Sequence, residues 1–309
     1  MTWLIADIGA TSSRCGIYSV AEKSTANIQV FRNEDFADLE TLLAGYLTYG
    51  PEKPDNCALA IAAPLDGDKV QMINRDWSFS GASIAQHLEF DAIEMLNDFH
   101  ALAYALPKLD DEDRREVGQS TVYRTGNIAV LGPGSGLGMS AWIDNDGATS
   151  VMRGEGGHIS IAGRNDAEDT IVKHLRERFG HCSAERILSG PGLLALHEAM
   201  HGTKLTSPEE ITKHDNDPQC AATLQQFFLF LGSAAADLAL ISGAYGGVYI
   251  AGGIVPACIE EICTSDFRSR FEDKNRYTAY MRAIPTWVIT AKEPGLIGLA
   301  AYLERRVET

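Results

Sequence analysis

The sequence predicts an α/β protein made of two related lobes, and three observations carry that reading. Residues 92–107 join a strand to an amphipathic helix: an apolar run ends in Met95 and Leu96, and Phe99, Leu102, Ala103 and Leu106 then fall at helical spacing until Pro107. Two segments of the form strand, glycine-rich turn, strand, at residues 3–20 and 127–143, begin the two halves of the chain. The charged run Asp110-Asp111-Glu112-Asp113-Arg114-Arg115-Glu116 between them reads as a solvated connector, which puts a boundary between lobes near residue 109.

Taken in order, Trp3 to Ala6 is a short apolar strand that runs into Asp7-Ile8-Gly9-Ala10-Thr11-Ser12-Ser13, and Arg14 to Val20 returns as a second strand. A tip of such small residues brings several backbone N–H groups close to a phosphate, and Asp7 at the strand end suits Mg²⁺, directly or through water. A plain hairpin turn fits the same residues. A third strand follows around Ile28 to Phe31, then Leu39, Leu42, Leu43, Tyr46 and Leu47 mark an amphipathic helix. Cys57 to Ala62 reads as a buried strand, and Asp66-Gly67 as a hairpin turn between flanking strands. Asn97 and Asp98 then stand at the carboxyl end of a strand, where ligands of open α/β sheets gather. Either residue also serves as an ordinary helix N-cap.

In the second half Asn127 to Leu131 and Met139 to Ile143 are strands on either side of Gly132-Pro133-Gly134-Ser135-Gly136-Leu137-Gly138. This tip has neither the GxxxxGK[ST] spacing of a P-loop nor a GxGxxG register leading into a helix. Arg153-Gly154-Glu155-Gly156-Gly157-His158 places an acid and an imidazole on a glycine-rich turn, with too few ligands nearby for a metal. Asn165 or Asp166 caps a helix reaching Phe179, and Ser183 to Leu188 is a short helix, with Glu185 in its first turn, that stops at Ser189-Gly190-Pro191-Gly192. Ser207-Pro208-Glu209-Glu210 is a capping box, and Asp217-Pro218 opens a long core helix running to Ile241. Residues 245–256 read as strand, glycine pair, helix start. Gly252-Gly253 there offers a flat surface to a base or ribose, or else close helix-to-sheet packing. A strand from Thr286 to Thr290 and a helix from Leu296 to Leu303 complete the chain.

Composition narrows the partners. The 309 residues are 45% hydrophobic and 22% charged, enough for a sizeable core in each lobe. A net charge of −16 without a cluster of Lys and Arg argues against nucleic acid, while backbone N–H groups and Mg²⁺ still suit a nucleotide. Six cysteines without a CxxC pair read as reduced core residues. No signal peptide is expected from the first residues, and Phe227 to Ile241, interrupted by Asp237, falls short of a membrane span. A soluble, cytoplasmic protein with no membrane partner is expected.

Six motifs in this order and spacing, Asp7-Ile8-Gly9-Ala10-Thr11, Leu96-Asn97-Asp98-Phe99, the tip at 132–138, Gly154 to His158, Ala184 to Gly192 and Ile250 to Pro256, resemble the bacterial glucokinases over nearly the whole chain. The resemblance implies the two-lobed actin-like ATPase (ribonuclease H-like) fold, with a mixed sheet and helices in each lobe and ATP and sugar meeting in the cleft. It implies a small lobe of residues 1–108 completed by the C-terminal helix 295–309, and a large lobe of residues 109–294. It further implies ATP-dependent phosphorylation of glucose to glucose 6-phosphate with Asp98 as general base, and Asn97, Asp98, Glu155, His158 and Glu185 as the residues holding sugar hydroxyls. Ala6, Asp7, Ile8, Gly9, Ala10, Thr11, Gly132, Gly134, Ser135 and Gly136 would face the phosphates of ATP, Gly252 and Gly253 the adenosine, and Asp7 the Mg²⁺. A homodimer is expected. Carboxylates, an amide and an imidazole suit this substrate, because a sugar hydroxyl both donates and accepts.

Three residues depart from the family pattern, all in phosphate handling: Ala10 for the second glycine of the first turn, Ser12 for the usual Asn, and Pro133 in the second tip. If the turn needs φ > 0 at position 10, the alanine there is expected to be strained; a turn at negative φ tolerates it. Two other classes stay open, a sugar-binding regulator with weakened catalysis and an ATPase that uses water, and a kinase for a related hexose is a further alternative. The cysteine cluster of the related repressors and sugar kinases is absent after His158.

Overall fold

The computed structural model describes residues 1–49, 53–72, 75–120, 124–213 and 217–308. The chain divides into two compact units, Met1–Leu109 with Ala291–Thr309, and Asp110–Thr290. In the first unit the elements are β1 (Thr2–Ile8), β2 (Ser12–Ser19), β3 (Ser24–Arg32), α1 (Leu39–Tyr49), β4 (Asn56–Ile61), β5 (Lys69–Gln71), β6 (Ser78–Ser80), α2 (Gly81–His87), β7 (Ala92–Asn97) and α3 (Asp98–Ala105), joined by the C-terminal α11 (Pro294–Glu308). Five strands form a sheet in the order β3-β2-β1-β4-β7, with β1, β4 and β7 parallel and the β3-β2 and β2-β1 pairs antiparallel. Side chains alternate across β1: Leu4, Ala6 and Ile8 pack with Leu39, Leu42, Leu43 and Tyr46 of α1 and Ile84 of α2. Trp3 and Ile5 face the other way, toward Ala101 of α3 and Leu296, Leu299 and Leu303 of α11. Each fully buried leucine contributes about 1.5–3 kcal/mol, so α11, 189 or more residues distant from α3 in the chain, is a core element of this unit. Gly298 lets the two helices approach closely, since a Cβ there would run into the carbonyl of Ala101.

The second unit contains β8 (Arg114–Glu116), β9 (Ile128–Pro133), β10 (Leu137–Asn145), β11 (Ala148–Met152), α4 (Asp166–Phe179), α5 (Gly190–His201), α6 (Pro208–Lys213), α7 (Pro218–Ser242), β12 (Gly247–Ile250), α8 (Ile259–Thr264), α9 (Phe267–Glu272), α10 (Thr278–Arg282) and β13 (Thr286–Ile289). Its sheet runs β11-β10-β9-β12-β13-β8. The first five strands repeat the order and directions of the first unit: a hairpin and its third strand on one side, two parallel strands on the other. One continuous core joins α4, α5 and α7 to this sheet. Among the described residues α7 is the one helix long and apolar enough to cross a membrane, and 67% of its apolar window is buried in the protein.

Asn97, Asn165 and Asp217 cap α3, α4 and α7 as their positions predict. Elsewhere the structure corrects the sequence reading. Asp66-Gly67 does not turn a hairpin: β5 pairs with β6, and Gly67, at φ +88°, lies in the irregular approach to β5. The charged run is only partly a solvated connector, because Arg114–Glu116 pairs antiparallel with β13 as an edge strand. Ser189-Gly190-Pro191-Gly192 does more than stop a short helix. Ser189 caps α5, a helix the sequence reading had not identified.

Candidate active site

In the first unit the parallel strands place the candidates at one sheet end. Ile8 of β1 is level with Ile61 of β4, and Ile61 with Asn97 of β7. Two strand spacings therefore separate the first turn from the Asn97-Asp98 joint, roughly 10 Å. The Asn97 Oδ1 accepts from the N–H groups of Phe99 (3.0 Å) and His100 (3.3 Å), and its Nδ2 donates to the carbonyl of Ala63 at 3.3 Å. That leaves the second amide N–H of Asn97 for a ligand. Asp98 opens α3, where its Oδ1 accepts from the Phe99 N–H at 2.9 Å. The cap and the candidate base are thus adjacent residues that share the Phe99 N–H as a donor.

The first turn, Gly9-Ala10-Thr11, is tied back by a residue that sequence reasoning missed. Asn33 is fully buried. Its Nδ2 donates to the Gly9 carbonyl (2.9 Å), its backbone N–H to the Thr11 carbonyl (2.9 Å), and the Ser13 hydroxyl donates to its Oδ1 (2.7 Å). Ala10 is not among the residues with positive φ. The expected left-handed strain is absent because the turn runs at negative φ, a conformation any L-residue adopts. Asp7 lies half-buried at the strand end; loss of water around its carboxyl pushes its pKa up, and Arg14, 4.0 Å away, pulls it down. Gly295 at the start of α11 abuts this carboxylate, since a Cβ there would fall 2.7 Å from it.

In the second unit the strands extend into the glycine-rich tip: Leu137 pairs with Pro133 and Gly138 with Gly132, leaving Gly134-Ser135-Gly136 as the turn. Glu185, expected among the sugar ligands, is held against this turn. Its Oε2 accepts from the Leu137 N–H at 2.9 Å, and a Cβ on Gly136 would stand 2.6 Å from that oxygen. Gly190 N–H donates to the Gly134 carbonyl at 2.8 Å, a second tie between the same segments. Gly157 packs against the Leu137 carbonyl so closely that no side chain fits. The Ala184 N–H donates to Ile159 O at 2.9 Å. Structure thus gathers the Glu155–His158 turn, Glu185 and the glycine tip around Leu137, with Glu155 and His158 exposed and Glu185 half-buried.

The glycine pair divides its work. Gly252, at φ +83°, packs on the end of β9 at Gly132 and Pro133, whereas a Cβ on Gly253 would meet nothing within 4 Å. Of the two expected adenosine contacts, Gly253 offers the open surface and Gly252 the close packing. Among the described residues no group of three or more His, Cys, Asp or Glu is arranged to hold a metal. Nothing in the local sequence marks Asn33, because its value to the turn arises from a sheet partner 20 or more residues away.

The family model described as Glucokinase matches residues 4–306. A glucokinase of Tolumonas auensis is 36% identical over 312 residues, covering 98% of this chain and 97% of its own. A glucokinase from an Antarctic psychrotroph has a solved structure that superposes with a TM-score of 0.87 at 35% identity, covering 98% of this chain and 99% of its own. At 17% identity and a TM-score of 0.59, a ROK family glucokinase of Streptomyces griseus, solved in complex with glucose and AMPPNP, shares the fold over 99% of this chain and 100% of its own.

Proposed function

Because the chain belongs to the glucokinase family, we propose that it transfers the γ-phosphoryl group of ATP to glucose, giving ADP and glucose 6-phosphate. The family match over residues 4–306 carries this reading. In the proposed reaction a glucose hydroxyl oxygen forms a bond to the γ-phosphorus as the bond to the β,γ-bridging oxygen breaks, ADP departs, and the hydroxyl proton passes to Asp98. Asn97, Glu155, His158 and Glu185 hold the remaining hydroxyls. The relative solved with glucose and AMPPNP supports the choice of ligands.

Gly9, Ala10 and Thr11 with neighbouring Ala6, Asp7 and Ile8 are proposed to face the phosphates, together with Gly132, Gly134, Ser135 and Gly136, while Gly253, seated by Gly252, faces the adenosine. One half-buried carboxylate, Asp7, fits a Mg²⁺ carried in by the nucleotide, since Mg²⁺ keeps waters and takes one or two carboxylates plus phosphate oxygens. When bound, Mg²⁺ neutralises charge on the phosphates. We assign the two units to the two lobes of an actin-like ATPase, and the chain to a cytoplasmic homodimer. Ala10 lies in a turn without positive φ, so this departure from the family pattern carries no left-handed strain. The test is whether ADP release requires glucose.

A further inference from the structure

We propose that Asn33 is a positioning residue for ATP: it sets the shape of the Gly9-Ala10-Thr11 turn and so aims the turn at the phosphates. The inference rests on the reading that this turn handles phosphate. Asn33 lies just past β3, outside the turn, yet it bonds to the turn from both ends: side chain to Gly9 O, backbone to Thr11 O. The Ser13 hydroxyl completes the Asn33 amide by donating to Oδ1. With the Gly9 and Thr11 carbonyls committed to Asn33, the peptide planes that carry the Ala10 and Ser12 N–H groups are fixed, which fixes the direction of those two donors.

Asn33 is itself clamped. The Arg75 guanidinium donates to the Asn33 and Phe36 carbonyls and lies 4.3 Å from the centre of the Trp77 ring. A chain of contacts, Trp77 to Arg75 to Asn33 to the turn, therefore supports the geometry from behind. Groups one layer removed from a ligand typically cost about 10- to 100-fold in affinity or activity when lost.

The experiment compares steady-state kinetics of Asn33→Ala, Ser13→Ala and Gly9→Ala with the parent chain, varying ATP and glucose separately. Gly9→Ala disturbs the turn directly, since its Cβ would fall 2.9 Å from Ser12 O. Expected are a KM for ATP raised about tenfold or more in Asn33→Ala, a smaller rise in Ser13→Ala, and a glucose KM within about twofold of the parent, the spread of near-neutral changes. If Gly9→Ala raises the ATP KM and neither Asn33→Ala nor Ser13→Ala does, the proposal is overturned while the phosphate reading stands. If none of the three moves it, the phosphate reading fails and the proposal with it. Loss of folded protein in Asn33→Ala with both KM values unchanged in the remainder, and none moved in Ser13→Ala, means a merely structural role and also overturns it.

Discussion

The backbone N–H of Leu137 holds the Glu185 carboxylate at 2.9 Å, so a residue expected to bind sugar is anchored to the turn expected to meet phosphate. One carboxylate oxygen is occupied by that bond, and the other remains to accept from a hydroxyl. Gly136 makes the arrangement fit, with a Cβ distance of only 2.6 Å to Glu185 Oε2. Gly136→Ala is expected to displace the carboxylate and raise the KM for glucose. Glu185→Ala leaves a hydroxyl unpaired, a loss of about 1–3 kcal/mol, or roughly 5- to 150-fold in glucose KM. Kinetics in which ATP KM rises and glucose KM does not would place Glu185 on the nucleotide side.

Asp98→Asn keeps the shape of the side chain and removes the basic oxygen pair. The expected outcome is a turnover lower by about 10²- to 10⁴-fold with glucose still bound. Titration of glucose into the variant, read by intrinsic fluorescence, gives the binding half of this statement. Near-parental turnover would remove Asp98 from the role of base.

Ala10→Gly gives no gain in this structure. Position 10 has no positive φ to relieve, and glycine enlarges the freedom of the unfolded chain at a cost of about 0.4–1 kcal/mol. The variant should melt at a lower temperature, with kcat/KM for MgATP no better than the parent. A several-fold improvement would show that the turn is strained around its alanine.

His197 supplies a pH dependence of stability. It is buried, with Nδ1 3.0 Å from the Thr223 hydroxyl and its ring 4.9 Å from that of His201. Burial first, then the nearby His201, lower its pKa in the folded state, with Asp217 and Glu210 opposing. The unfolded chain therefore binds the proton more readily. Stability is fully present above the ordinary histidine value of 6.5 and is lost as pH falls below it, toward the depressed folded value. Denaturant midpoints between pH 7.5 and 5 should fall less steeply in His197→Asn than in the parent; equal slopes would assign the acid sensitivity elsewhere.

Local chemistry made much of the fold legible. Asn97, Asn165 and Asp217 announce their helices because a cap bonds within three residues of itself, and the two hairpins are visible because small residues interrupt apolar runs. Asp66-Gly67 misled because a turn dipeptide says nothing about which strands flank it. Arg114 and Arg115 looked like solvent-exposed connector, yet edge strands tolerate charge, and Arg114 also stacks 4.6 Å from the Trp287 ring centre. At the site, the motif residues were visible one by one. The ties that position them, Asn33 to Gly9 and Leu137 to Glu185, span 24 and 48 residues and arise only once the chain is folded, from irregular turns brought against the strand ends.

Phosphorus NMR of the chain with MgATP, with and without glucose, tests glucose phosphorylation most directly. The account predicts ADP and glucose 6-phosphate appearing one for one, and only when glucose is present. ADP with inorganic phosphate, at a rate indifferent to glucose, would contradict it, as would an unchanged ATP spectrum while glucose is bound.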